Sequence, residues 1–209
     1  YMQPTILYKK WQSANVPQYL KQELSSMENN PVEINDCFYQ YLQFGTAGMR
    51  GLLGAGTNRL NIFTIRRVAF GLAQIIAFHG KEAKQRGVVI SYDNRHFSKE
   101  FAIETVKVLG EYGVKTFIFS ESRPTPELSF AIRHLHAYAG VMITASHNPK
   151  EYNGFKVYGE DGAQLTPDHV EMIVHMMDNV YDIFAIQVAD LEELKQAELH
   201  SEILEDIDT

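Results

Sequence analysis

Three short apolar segments rich in β-branched residues alternate with amphipathic segments in the middle of this 209-residue chain. They read GVVISYD, VKTFIFS and AGVMITA, at residues 87–93, 114–120 and 139–145. Between them, apolar residues recur at helical spacing after Ser98, which is placed to cap that helix, and after Thr125. Strands that alternate with helices in this way predict βαβ units and a largely parallel sheet.

The order of elements changes after the third segment. The polar stretch HNPKEYNG, residues 147–154, runs directly into GFKVYG, which predicts a fourth strand that is antiparallel because no helix intervenes. A further helical pattern covers residues 166–179, and the acidic tail beyond Asp190 shows no strand pattern. The predicted fold class is α/β, a three-layer α/β/α domain with a mixed, mostly parallel sheet of about four strands and helices on both faces.

The composition divides the chain into three parts. Residues 1–43 are polar and helix-prone, which predicts a helical lead-in. The segment FGTAGMRGLLGAGTNRLN, residues 44–61, contains five glycines and must bend sharply or approach another group closely. It opens the predicted main domain, residues 44–185. Residues 186–209 are predicted to be a linker that enters a second domain of a longer protein.

Charge and hydropathy exclude several classes of function. The net charge of −7 argues against general binding of nucleic acid, which depends on Lys and Arg neutralising phosphates. No apolar run is long enough to span a membrane, and the first residues lack the pattern of a signal peptide. The single cysteine, Cys37, cannot form an internal disulfide and is expected to be a buried or idle thiol. We therefore predict a cytoplasmic protein with no nucleic-acid or membrane partner.

The loops at the carboxyl ends of the strands are the candidate site, because open α/β sheets bind ligands there. These loops are SYDNRHFS, FSESRPTPE and TASHNPKEYNGFK. In the third loop Ser146 is followed by His147, and Lys156 lies in the next strand. A hydroxyl, an imidazole and an ammonium group within reach of one another are the parts of an activated or phosphorylated nucleophile. The alternative is a simple turn made by Ser, Asn and Pro.

Four motifs resemble those of the α-D-phosphohexomutases, the phosphoglucomutase and phosphomannomutase family. TASHNPKEYNGFKVY resembles the active-site serine loop, FGTAGMRG the N-terminal signature, SYDNRHFS the Asp-x-Arg-x-x-Ser loop and SRPTPE the loop before the next helix. They occur in family order and cover about residues 40–180. The FGTAGMRG form and the helical lead-in are most similar to the phosphoglucomutase and phosphopentomutase branch.

The resemblance implies roles for individual residues. Ser146 would be phosphorylated in the resting enzyme, with Arg50, His147 and Lys156 as the other catalytic residues. The residues implied to bind substrate or phosphate are Arg50, Arg95, Ser146, His147, Asn148 and Lys156. Taken without the motifs, both arginines are ordinary surface or ion-paired residues, and Asp93 is a structural partner of Arg95 or the cap of the following turn.

The resemblance also implies two cofactors. Mg²⁺ would bind the phosphate on Ser146 together with aspartates of a DGDxDR-type loop, which this sequence does not contain. A sugar bisphosphate, glucose 1,6-bisphosphate for a glucose enzyme, would act as activator.

The implied function is that of the N-terminal domain of an enzyme that interconverts sugar 1-phosphate and sugar 6-phosphate, with glucose as the expected sugar. Its partners would be sugar phosphates and the remaining domains of its own chain, so this segment alone is expected to lack turnover. The alternatives are specificity for mannose or pentose phosphate, a hydrolase that uses Ser146 and His147, and a non-catalytic module that binds sugar phosphates. The hydrolase is disfavoured because no GxSxG motif surrounds the serine.

Overall fold

A seven-stranded mixed sheet forms the centre of the computed structural model, which describes residues 3–204. The strand order is β1-β2-β6-β5-β3-β4-β7. Strands β5, β3, β4 and β7 are parallel to one another, whereas β1, β2 and β6 add in antiparallel pairings. The strands are β1 Phe44–Gly45, β2 Gly48–Leu52, β3 Val88–Tyr92, β4 Thr116–Phe119, β5 Ala139–Ile143, β6 Tyr152–Tyr158 and β7 His200–Ile203.

Helices cover both faces of this sheet. They are α1 Pro4–Ser13, α2 Gln18–Ser26, α3 Pro31–Phe38, α4 Ile62–Phe78, α5 Lys81–Arg86, α6 Ser98–Glu111, α7 Thr125–His134, α8 Pro167–Asp178 and α9 Leu191–Gln196, with a 3₁₀ turn at Ile183–Ala185. Val88 and Ile90 of β3 pack in the cluster that contains α4 and α6, whereas Val89 packs in the cluster that contains α7. Successive strand residues point to opposite faces, so β3 is buried on both sides. The predicted three-layer α/β/α arrangement is confirmed.

Two parts of the sheet differ from the sequence prediction, which expected about four strands. The Gly-rich segment forms the β1–β2 hairpin, because Gly48 adopts a left-handed φ of 88° and lets β2 pass directly against the backbone of Phe155. The acidic tail also contains a strand, because residues 200–203 pair in parallel with β4. The predicted sharp bend is present, and the expectation of no strand after Asp190 is wrong.

Ser98 does not cap α6 as predicted. Phe97 holds the cap position with a left-handed φ of 68°, and Ser98 is the first helical residue. Its Oγ donates a hydrogen bond of 2.6 Å to Asp93 Oδ1 instead. The hydroxyl therefore ties the start of α6 to the loop that follows β3.

Helix α4 begins at a well-formed cap on Asn61 and ends at Phe78. The Asn61 Oδ1 accepts hydrogen bonds from the backbone N–H groups of Phe63 and Thr64, and the Thr64 hydroxyl accepts one from the Asn61 N–H. This reciprocal arrangement satisfies donors that a helix start leaves free. The Asn61 side chain also donates to the carbonyls of Gly54 and Gly56, so it fixes the Gly-rich segment to the helix.

The predicted lead-in region contains α1–α3, which pack on the start of α4 through a second apolar cluster. Trp11 at its centre is fully buried and makes edge contacts with the rings of Phe38, Phe63 and Phe184. Cys37 is buried in the same cluster, as expected, and burial raises the pKa of its thiol to about 11. The predicted boundaries of the three parts of the chain stay predictions. Over residues 3–204, no helix combines the length and the hydropathy that crossing a membrane requires.

Candidate active site

The pairing of β2 with β6 places two cations on one face of the sheet. Arg50 lies opposite Gly154, and Lys156 is two residues further along β6. Paired residues share a face, as do residues two apart in a strand, so Arg50 and Lys156 project from the same face as diagonal neighbours. Met49 and Phe155 point to the opposite face, where they are buried in the core. The alternation that buries Met49 and Phe155 therefore places the two charged side chains on the other face, where Arg50 is exposed and Lys156 is half-buried.

Ser146 approaches Lys156 from β5, the strand on the other side of β6. It lies in the exposed loop that follows β5, and β5 pairs with β6. The Lys156 Nζ donates a hydrogen bond of 2.8 Å to Ser146 Oγ. The structure thus brings the hydroxyl and the ammonium group into direct contact, as their positions in the sequence suggested.

Burial lowers the pKa of Lys156 from its ordinary value of 10.5, and the positive charge of Arg50 lowers it further. Two cations this close repel each other when no anion lies near them. They form a local positive site on a chain whose net charge is −7. A phosphate group would relieve the repulsion through charge-assisted hydrogen bonds.

The other predicted residues of this loop lie close to the serine. His147 is exposed directly after Ser146, and Asn148 is half-buried with its N–H bonded to the Ala145 carbonyl at 3.0 Å. Among the residues that the structure describes, no hydrogen bond joins the His147 ring to Ser146 Oγ. The catalytic assignment of His147 and the binding assignment of Asn148 stay predictions.

Arg95 directs its guanidinium group into the backbone of the serine loop. Its terminal nitrogens donate hydrogen bonds to four backbone carbonyls between Ser146 and Tyr152. These contacts occupy the donors that the sequence assigned to a phosphate. The predicted phosphate contact of Arg95 stays a prediction, and its observed partners are the loop carbonyls and Asp93.

Asp93, Thr144 and Asn153 connect the loops through hydrogen bonds. None of the three was assigned a catalytic or binding role from the sequence. Asp93 accepts hydrogen bonds from Ser98 Oγ, from the Arg95 N–H and from Thr144 Oγ1. Asn153 donates to Ser98 Oγ at 2.9 Å and to the His96 carbonyl at 3.2 Å. The structural interpretation of Asp93 is confirmed. Thr144 and Asn153 lie inside the serine-loop motif, but a sequence does not show which of its polar side chains turns toward another loop.

The described residues do not form a metal site. Within residues 3–204, no three His, Cys, Asp or Glu side chains converge to hold an ion. The carboxylate of Asp93 is already bonded to Ser98 and Thr144. A phosphorylated Ser146 would offer Mg²⁺ oxygen atoms from a single group, whereas this ion binds firmly through several ligands. The residues present here therefore do not fit a complete Mg²⁺ site.

Residues 41–182 match the family model described as phosphoglucomutase/phosphomannomutase, alpha/beta/alpha domain I. The chain belongs to this family. Phosphoglucomutases of Staphylococcus epidermidis and Staphylococcus aureus are 47% and 45% identical over 160 and 161 residues. Each alignment covers 77% of this chain but only 29% of the relative, so the chain spans less than a third of the length of these phosphoglucomutases.

Solved structures of the phosphoglucomutase/phosphomannomutase family share the fold. A Thermus thermophilus protein assigned as a phosphomannomutase matches with a TM-score of 0.64 and 26% identity, covering 79% of this chain and 33% of that chain. A phosphoglucomutase/phosphomannomutase family protein of Burkholderia thailandensis matches with a TM-score of 0.57 at 22% identity, over 78% of this chain and 32% of its own. The second likeness concerns the fold alone.

Proposed function

We propose that this chain is the N-terminal domain of a phosphohexomutase that interconverts glucose 1-phosphate and glucose 6-phosphate through a phosphorylated Ser146. The observation that carries the proposal is the contact between Lys156 Nζ and Ser146 Oγ, with Arg50 on the same face. A hydroxyl held by one cation beside a second cation is suited to accept and donate a phosphoryl group. The phosphoglucomutase relatives support glucose as the sugar. Mannose or pentose phosphate specificity and a non-catalytic binding module are the alternatives.

The reaction needs two phosphoryl transfers at Ser146. In the first, the bond between phosphorus and Ser146 Oγ breaks as a bond forms to the free hydroxyl of the sugar monophosphate, and that hydroxyl loses its proton to a base. The result is a sugar bisphosphate and an unmodified serine. In the second, Ser146 Oγ loses its proton and attacks the other phosphate of the bisphosphate, and the bond between that phosphorus and the sugar oxygen breaks. The sugar oxygen leaves with the electron pair and takes up a proton, and the phosphoserine is regenerated. The phosphate has then changed position on the sugar with no net transfer.

Lys156 and Arg50 have complementary parts in these steps. Phosphoryl transfer needs positioning and neutralisation of charge on the phosphoryl oxygens, with little other covalent help. Lys156 donates to Ser146 Oγ, the atom that leaves with the electron pair in the first transfer, and its lowered pKa eases transfer of a proton to that oxygen. Arg50 presents a planar set of donors that suits a phosphate. His147 is the candidate base beside the serine.

The remaining components of the enzyme are expected outside the residues described here. Mg²⁺ would supply further charge neutralisation, and a sugar bisphosphate would load the serine. The residues described here would supply the metal with a single phosphate group, the one on Ser146. Closure of the other domains over the substrate would keep water out. We therefore propose that this chain alone has no mutase turnover. The cytoplasmic location stays a prediction.

Substitution of the serine in the full-length mutase that carries this domain tests the proposal. Ser146→Ala is expected to abolish conversion of glucose 1-phosphate to glucose 6-phosphate and to remove phosphate from the corresponding peptide in mass spectrometry. The matched control is Ser25→Ala, which changes an exposed serine in α2, outside the candidate loops. Unchanged turnover in Ser146→Ala would remove the serine from the mechanism. Turnover by the isolated chain near that of the full-length enzyme would show that the other domains are not required.

A further inference from the structure

The backbone of Ser146 has a conformation that a serine rarely adopts. Its φ is 54°, in the left-handed region that favours glycine. Such a conformation persists when the surrounding structure holds it in place. The strained residue is Ser146 itself, whose Oγ accepts the hydrogen bond from Lys156. The contacts of the Ser146 backbone therefore bear on where its hydroxyl points.

Thr144 and Asp93 hold the N–H side of Ser146. The Ser146 N–H donates a hydrogen bond of 2.9 Å to Thr144 Oγ1, and the Thr144 hydroxyl donates one of 2.6 Å to Asp93 Oδ2. The direction of both bonds is fixed, because an ionised carboxylate only accepts and a hydroxyl has a single proton to give. Thr144 is only 7% exposed, so water does not readily replace these partners.

Arg95 holds the carbonyl side. Its Nη2 donates to the carbonyls of Ser146 and Asn148 at 2.7 and 2.6 Å. Its Nη1 donates to the carbonyls of Pro149 and Tyr152 at 2.9 and 3.2 Å. The Nε lies 3.4 Å from Asp93 Oδ2, the same oxygen that accepts from Thr144. One carboxylate therefore connects both sets of contacts around the serine.

We propose that Asp93, Thr144 and Arg95, together called the serine clamp, are positioning residues that hold Ser146 in its left-handed conformation with Oγ facing Lys156. The inference rests on the proposed phosphoryl-carrier role of Ser146. In the serine clamp, Arg95 holds the loop carbonyls, whereas the sequence predicted that it contacts a phosphate. A guanidinium group can span four carbonyls because its donors are fixed in a plane, whereas an ammonium group cannot.

Removal of the Thr144 hydroxyl in the full-length mutase tests the clamp. Thr144→Val keeps the shape of the side chain and leaves the Ser146 N–H without its acceptor. We expect kcat to fall about 10²-fold with KM for glucose 1-phosphate within about twofold, because a misplaced nucleophile slows the reaction without weakening substrate binding. Thr144→Ser, which retains the hydroxyl, is expected to restore kcat. The matched control is Thr105→Val, a fully buried threonine whose Oγ1 donates a hydrogen bond to the Phe101 carbonyl one turn earlier in α6.

Arg95→Lys separates the clamp from a phosphate contact. The clamp requires the planar donors, so Arg95→Lys is expected to lower kcat about as much as Arg95→Ala, with KM unchanged in both. A raised KM in Arg95→Ala that Arg95→Lys restores would overturn the clamp in favour of phosphate binding. Wild-type kcat in a folded Thr144→Val would also overturn it, and if that variant does not fold, the Arg95 pair decides. Activity retained by Ser146→Ala would instead refute the proposed function itself.

Discussion

Gly154 lies in β6 between the two strands that bring Arg50 and Ser146 to the site, and Gly154→Ala tests how tightly these strands must pack. A Cβ at this position would lie 2.6 Å from the Thr144 carbonyl oxygen and 2.7 Å from the Met49 carbonyl oxygen. Ordinary contact begins near 3.4 Å, so the shortfalls are about 0.8 and 0.7 Å. Both obstacles are backbone atoms of neighbouring chain segments, so no side-chain rotation relieves them.

Overpacking of this kind costs about 1–3 kcal/mol in the free energy of unfolding. For a domain of about 200 residues each 1 kcal/mol lowers Tm by roughly 2–4 °C, so Gly154→Ala is expected to lower Tm by roughly 2–12 °C in calorimetry. The matched control is Gly45→Ala in β1, where an added Cβ meets nothing within 4 Å. Its effect is expected to stay within about 0.5 kcal/mol. Equal Tm values for the two variants would refute the packing argument.

Two further predictions concern titratable groups. Because the pKa of Lys156 is lowered by burial and by Arg50, the unfolded chain binds more protons between that pKa and 10.5, so the Lys156 contribution to stability rises with pH. Urea unfolding of the chain and of Lys156→Met should therefore show a stability difference that changes in this pH window, and a constant difference would contradict the assignment. Because burial raises the pKa of Cys37 to about 11, its thiol should react slowly with iodoacetamide at pH 8 in the folded chain and readily in urea. Equal rates would show that the thiol is accessible.

The elements with strong periodicity could be predicted from the sequence. Helix α4 has a long amphipathic pattern and strands β3–β6 are short and mostly apolar, so the residues of each element indicate its type. Strand β7 was missed because its short sequence HSEI has one apolar residue and its partner strand β4 lies more than 80 residues earlier, with Thr116 opposite His200. The β1–β2 hairpin was missed because its glycines carry no hydrophobic alternation.

The sequence predicts which residues belong to the candidate site better than it predicts which of them contact one another. Ser146 and Lys156 are ten residues apart in the sequence, and a hairpin brings them together, so their proximity could be inferred. The bond between Thr144 and Asp93 joins residues 51 positions apart, which no local pattern indicates. For Arg95, a motif identifies a guanidinium group near the site, but only tertiary structure shows that it faces carbonyls.

The register of β2 with β6 has a consequence for biosynthesis. Leu52 pairs with Tyr152, so the second edge of the β1–β2 hairpin finds its partner about 100 residues later in the chain. At about 5–20 residues per second, a ribosome takes roughly 5–20 s to make that stretch. Contacts between such distant residues also form slowly. A nascent chain halted before residue 152 would already contain Arg50, Arg95 and Ser146, yet it would lack the strand that brings Arg50 to the serine and supplies Lys156.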